Sequence, residues 1–171
     1  IDTSNVTTMS VAWENCSSLT SFPLIETGNV DNFERAWWNC VALTSFPAID
    51  TNSGTKFNGT WMQCSNLVSF PLLDFSSATI FSTNYYAAWR FCNSLENFPS
   101  NAFDTTSSPF YANAFQYTNL NTQSIDNILV SIDTSGTING TFTQSGGQAP
   151  SATGLAAKDI YQFILIWIDI V

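Results

Sequence analysis

Ala12-Trp13-Glu14-Asn15-Cys16-Ser17-Ser18-Leu19-Thr20-Ser21-Phe22-Pro23 returns almost unchanged as Ala36 to Pro47 and, more loosely, as Thr60 to Pro71. Each step is 24 residues, so Trp13, Trp37 and Trp61 fall in register, as do Cys16, Cys40 and Cys64. A fixed period of this size marks a chain built by stacking one supersecondary unit on the next, and it predicts a solenoid.

Each repeat divides into two parts. The first, Asp2 to Trp13, offers Ser, Thr and Asn as caps and places Val6, Met9 and Trp13 on one helical face, which predicts a short helix or 3₁₀ turn. The second, Cys16 to Leu24, has the form Leu-x-x-Phe-x-Leu, which predicts a strand with Leu19, Phe22 and Ile25 facing the core. Pro23, Pro47, Pro71 and Pro99 have no N–H to give a sheet, so each strand is expected to be about three residues long.

The pattern divides the chain into repeats 1–24, 25–48, 49–72 and 73–100, a degenerate copy at 101–120, and a C-terminal capping segment at 121–171. The fourth repeat carries four extra residues around Thr83 to Tyr86, expected to form a loop that exposes Tyr85 and Tyr86. In the degenerate copy Phe115 replaces Trp and Thr118 replaces Cys. Beyond it the spacing predicts a helix over Ser124 to Ile132, a hairpin turn at Asn139-Gly140, a helix over Ala152 to Phe163 and a closing strand over Phe163 to Val171.

Composition narrows the function. The chain has 171 residues, 44% of them hydrophobic, and only 10% charged, with a net charge of −9. Its four basic residues, Arg35, Lys56, Arg90 and Lys158, are scattered, which argues against a nucleic-acid partner. A surface rich in Ser, Thr and Asn leans towards an extracellular or virion setting. There is no histidine, which removes the commonest general base and zinc ligand, and an enzyme is not expected. The four cysteines occupy one slot of the repeat, about 4.8 Å apart if the units stack as strands, which predicts a ladder of free buried thiols and no metal site. No cofactor is expected, and no run of about 20 apolar residues suits a membrane span.

Three sets of residues compete as sites. The joint acids Asp2, Glu26, Asp50, Asp74 and Asp104 form a column that suits turn or helix capping better than calcium, since one carboxylate per repeat is a thin ligand set. The repeated tryptophans read as core. The better binding candidates break the consensus: Trp38, in a slot held elsewhere by Glu14, Met62 and Arg90, together with Tyr85 and Tyr86. The small polar residues Thr20, Ser21, Thr44, Ser45 and Ser69, with Val68, Glu96 and Asn97 beside them, line the strand face, which reads equally well as a plain solvated surface or as a recognition surface for a protein or a surface glycan.

The joint Asp-Thr-Ser-Asn-Val-Thr, the Trp and Cys slots and the strand Ser-Leu-Thr-Ser-Phe-Pro resemble BspA-type leucine-rich repeats, closely over Ile1 to Pro99 and weakly over Phe103 to Leu120. The tail resembles segments that close such arrays in bacterial surface and phage structural proteins. The resemblance implies an α/β leucine-rich-repeat solenoid with a short parallel sheet of one strand per repeat, closed by an α+β C-terminal cap. It also implies a non-enzymatic binding or adhesion module outside the cell, at a cell surface or on a virion in the manner of a tail fibre. The alternative is a purely structural unit that assembles end to end, because the first repeat carries no polar cap and is expected to abut further sequence or another subunit.

Overall fold

The repeats fold as a succession of hydrogen-bonded turns. The computed structural model describes residues 2–83, 85–107, 110–137, 141–160 and 164–168. In each repeat Ala12, Ala36 and Thr60 donate back three residues to Met9, Phe33 and Phe57, and Cys16, Cys40 and Cys64 donate to the tryptophan carbonyls of their own repeat. The turns are set by left-handed residues at matching positions: Val11 (φ 55°), Arg35 (φ 55°) and Gly59 (φ 70°), then Asn15, Asn39 and Gln63. A left-handed residue reverses the direction of its peptide group, so a regular helix ends there and a strand is broken or forced to bulge.

One repeat is joined to the next by backbone bonds in a constant register. Met9, Val11, Trp13 and Asn15 donate to the carbonyls of Asn32, Glu34, Ala36 and Trp38, and Phe33, Arg35, Trp37 and Asn39 donate to those of Lys56, Asn58, Thr60 and Met62. Parallel bridges run Thr8 to Asn32 to Lys56 to Ile80. At the joint, the hydroxyls of Thr3, Thr27 and Thr51 donate to the carbonyls of Glu26, Asp50 and Asp74 at 2.7, 2.5 and 2.5 Å. We call each repeat's contribution a rung.

Aromatic columns fill the space inside. The rings of Trp13, Trp37, Trp61, Trp89 and Phe115 stack at 5.3, 6.1, 5.5 and 4.8 Å, all within 10° of parallel. Phe22, Phe46, Phe70 and Phe98 form a second column; the first three each meet the tryptophan of the next rung edge to face, and Phe98 meets Phe115 in the same way. Alternating stacked and T-shaped pairs satisfy the ring quadrupoles, each worth about 0.5–1.5 kcal/mol beyond burial. Leu43, Leu67 and Leu95 are fully buried beside them.

This arrangement corrects the expected fold. Both helices and all three strands of the described residues lie between Phe110 and Ile168, and the repeats contribute single bridges such as Ser69 to Asn97. Among the described residues there is no strand per repeat and no helix in the first half of each repeat, and so no leucine-rich-repeat solenoid with a separate α+β cap is evident. The prolines deny the Phe-Pro segment a donor and the left-handed residues interrupt the rest, so the shared period fixes contacts without producing strands.

The regular elements come from the decayed repeat and the tail. β1 (Phe110–Gln116), β2 (Thr141–Ser145) and β3 (Ile164–Ile168) form an open parallel sheet in the order β1-β2-β3, with a bulge in β1 between Tyr111 and Phe115, where Asn113 is left-handed. α1 (Thr122–Thr134) buries Ile125, Ile128, Leu129 and Ile132 on one face. Its N-cap is Asn121, whose side chain accepts from Ser124 N–H at 2.8 Å, three residues before the start expected at Ser124. Ser124 instead accepts from Phe98 N–H, and Ser131 accepts from Phe103 N–H, tying α1 to the fourth and fifth rungs. α2 (Ala152–Ile160) follows, within the range expected. Asp126 on α1 accepts from Ser151 N–H at its approach, and Gly154 passes so close to that carboxylate that a Cβ would collide with it. The hairpin expected at Asn139-Gly140 lies outside the described residues.

Candidate functional site: a braced aromatic patch

Arg35, Trp38, Gly59 and Tyr86 come from three different repeats and meet at one place on the surface. The left-handed conformation of Arg35 turns its side chain across the rung. Gly59, one rung further on, makes room for it: a Cβ there would lie 3.1 Å from both Arg35 Cγ and Tyr86 Cβ. The guanidinium carbon sits 4.5 Å from the centre of the Trp38 ring and 4.8 Å from that of Tyr86. Trp38 and Tyr86 meet edge to face at 5.9 Å. Cation–ring contacts at half-exposed sites contribute about 0.5–1 kcal/mol each.

Polar groups brace the cluster at its margins. Arg35 Nη2 pairs with Glu14 Oε1 at 2.7 Å, and Trp38 Nε1 donates to Gln63 Oε1 at 2.6 Å. Tyr86 is held by the inserted loop, where Thr83 N–H donates to Tyr86 O at 2.8 Å and Ser82 bridges Ala87 in antiparallel sense. Glu14 largely neutralises Arg35, so the patch carries aromatic surface and directed hydrogen-bonding groups and little net charge. It is suited to stacking and hydrogen bonding, and it holds no histidine or cysteine for covalent chemistry.

The expected site residues separate into two groups. Trp38 and Tyr86 are brought together by the fold although 48 positions apart, and both are half-buried because Arg35 and Gln63 cover them. Tyr85 at the loop tip is 76% exposed. Thr20, Ser21, Thr44, Ser45 and Ser69 are exposed, as are Val68, Glu96 and Asn97. They form a different line, joined by backbone bonds from Thr44 N–H to Thr20 O and from Val68 N–H to Thr44 O. Arg35, Gly59, Gln63 and Glu14 escaped the sequence reading. The one available signal was that Arg35 is among only four basic residues and lies three positions before an out-of-pattern tryptophan.

The remaining columns have structural duties. Asp2, Asp50 and Asp74 accept from the backbone N–H two residues on, at Ser4, Asn52 and Ser76, as turn caps. The Ser4 hydroxyl and N–H hold the Asp2 carboxyl below its ordinary range. Among the described residues no group of three or more acids, cysteines or histidines is placed to hold a metal. Glu26 and Asp50 line an open groove of 730 Å³ along the joint, with Leu24 and Ala48. Three thiols are buried, and Cys40, Cys64 and Cys92 donate to the carbonyls of Trp13, Trp37 and Trp61 at 3.2, 3.2 and 3.1 Å. Burial pushes Cys40 up to about 11 and Cys92 to about 12. Cys16 is exposed, contrary to the expectation that all four thiols are buried, because the described chain places no rung over it.

No family model, curated protein or solved structure matches this chain. No helix among the described residues is long and apolar enough to cross a membrane.

Proposed function

We propose that the chain is a non-enzymatic binding module, displayed at a bacterial or phage surface, that contacts a protein or surface glycan through the patch of Trp38, Tyr86 and Tyr85. The observation that supports this reading is the gathering of the consensus-breaking aromatics. Trp38 and Tyr86 come from separate repeats and are locked by Arg35, and Tyr85, next to Tyr86 in the chain, is exposed. Holding aromatic side chains in place before a ligand arrives lowers the ordering cost of binding. The surface setting rests on the likeness of the repeat to bacterial and phage surface proteins.

The test is binding of the purified chain to a glycan array and to intact bacterial cells, with Tyr85→Ala and Trp38→Ala variants beside it. Tyr85→Ala is expected to leave the melting temperature unchanged and to weaken binding by about tenfold or more, as for an aromatic anchor. Binding that survives both substitutions unchanged overturns the assignment.

A further inference from the structure

The slot two residues after each ring of the tryptophan column holds Asn15, Asn39 and Gln63, then Phe91 and Tyr117, and all five are left-handed, with φ between 60° and 65°. Asparagine enters that region readily, and Asn39 Nδ2 donates to Asn15 Oδ1 at 2.9 Å, so amides in this slot link one rung to the next. Phenylalanine and tyrosine meet a steric penalty there. Burial does not offset it, because both rings are half-buried and lie outside the core. They stack on each other at 4.7 Å with planes 4° apart. Strained aromatics at a surface position where an unstrained amide serves the fold point to a contact made there.

Arg90 completes the cluster. Its guanidinium carbon lies 4.8 Å from the centre of the Phe91 ring. Its Nε is buried without a hydrogen bond, and among the described residues no carboxylate pairs with it. Arg35 differs, since Glu14 takes up its charge. In the slot of Arg90 one rung on, Gln116 Oε1 is likewise buried without a donor. The cluster therefore sets two stacked rings beside a cation that no acid of the described chain answers.

These groups select a ligand. An arginine braced against a ring presents its remaining N–H groups as a planar fork, which matches the two oxygens of a carboxylate. Aromatic surface suits the C–H-bearing face of a sugar ring. Two side chains and a guanidinium fall well short of the about 800 Å² that a protein partner covers, and match a single sugar unit better.

We infer that Arg90, Phe91 and Tyr117 form a site for a carboxylate-bearing sugar unit, a uronic or sialic acid, with its carboxylate on the guanidinium and its ring against the aromatic pair. Gln63, in the same slot one rung before Phe91, accepts from Trp38 Nε1, so the cluster adjoins the Trp38 patch. The inference goes beyond the binding reading above, and separate substitutions test the two.

The experiment measures the purified chain on an array of glycans ending in glucuronic, galacturonic or sialic acid, each beside its carboxyl-reduced counterpart. At least one acidic member is expected to bind, and to lose about tenfold or more when its carboxyl is reduced, as for one bidentate charged contact. Arg90→Gln is expected to erase that difference. Phe91→Asn, which installs the residue of the early rungs, is expected to weaken binding by about tenfold while the melting temperature holds or rises. Trp38→Ala is expected to weaken acidic and reduced forms by the same factor, so the two readings fail separately. The inference is overturned if no acidic glycan binds better than its reduced form, or if Arg90→Gln keeps the preference. A melting temperature that falls with Phe91→Asn also overturns it, by making the stacked pair a packing element. Acidic peptides that compete as well as the acidic sugars overturn it by making the site a protein contact.

Discussion

The rungs before Thr106 and the segment after Phe110 reach stability by different routes. In the rungs the backbone is all turns, and order comes from columns of identical side chains, each ring packed on its counterparts above and below. In the tail, ordinary rules apply: a capped amphipathic helix, a parallel sheet, and glycines where the chain passes close to its neighbours. Gly147 illustrates the last point, being left-handed and so near Leu120 O that a Cβ would lie 2.5 Å from it. The difference teaches that repetition can replace secondary structure as a source of cooperativity, because a contact that is good once is good at every step.

The sharpest way to break this comparison is to remove one ring from the middle of the tryptophan column. Trp61 is fully buried and stacks on both Trp37 and Trp89, so Trp61→Ala is expected to cost about 3–5 kcal/mol in urea unfolding. Ile128→Ala on α1 is expected to cost about 2–4 kcal/mol. If near-ultraviolet aromatic signals and far-ultraviolet helix signals of Trp61→Ala are lost at separate urea concentrations, the two regions are separable units. Coincident transitions make them one.

Alkali sharpens the contrast at a smaller cost. Against an ordinary value of 9.0, burial raises Cys40 to about 11 and Cys92 to about 12, and raises Cys64 as well. Below pH 9 the thiols are protonated in both folded and unfolded chains and their contribution is fully present. As pH climbs from 9 towards 11 and 12, only the unfolded chain releases protons, so the folded state loses stability. Tyr111, whose phenol burial also raises, adds to the loss at the upper end. The urea midpoint under reducing conditions is therefore expected to fall from about pH 8 to about pH 10.5, the range in which the unfolded chain's thiols ionise first. The smallest effect belongs to the tail: Asn121→Ala removes the cap of α1 and is expected to cost about 1 kcal/mol, seen as a lower melting temperature with little change in the tryptophan signals.

Much of the interior was legible before any coordinates. The period marks which residues share an environment, so the tryptophan, phenylalanine and leucine columns and the three buried thiols, of four cysteines, follow from spacing alone. Backbone conformation did not follow, because a period carries no information about φ. Left-handed Val11, Arg35 and Phe91 have side chains that normally avoid that region, so nothing in their identity announces a turn where a helix or strand was expected. The patch was half legible. Trp38 and Tyr86 stood out as departures from the consensus, but their meeting depends on the inserted loop folding back over Gly59 and on Arg35 filling the gap between them.

The parallel indoles have an optical consequence. Four of the six tryptophans, Trp13, Trp37, Trp61 and Trp89, lie in one file with neighbouring centres 5.3–6.1 Å apart and planes within 10° of each other. Chromophores held this close and this nearly parallel share their excitation, so absorbed light migrates along the file before it is emitted. Intrinsic fluorescence therefore reads the column as a single emitter, and a local disturbance at any one rung changes the spectrum of all four.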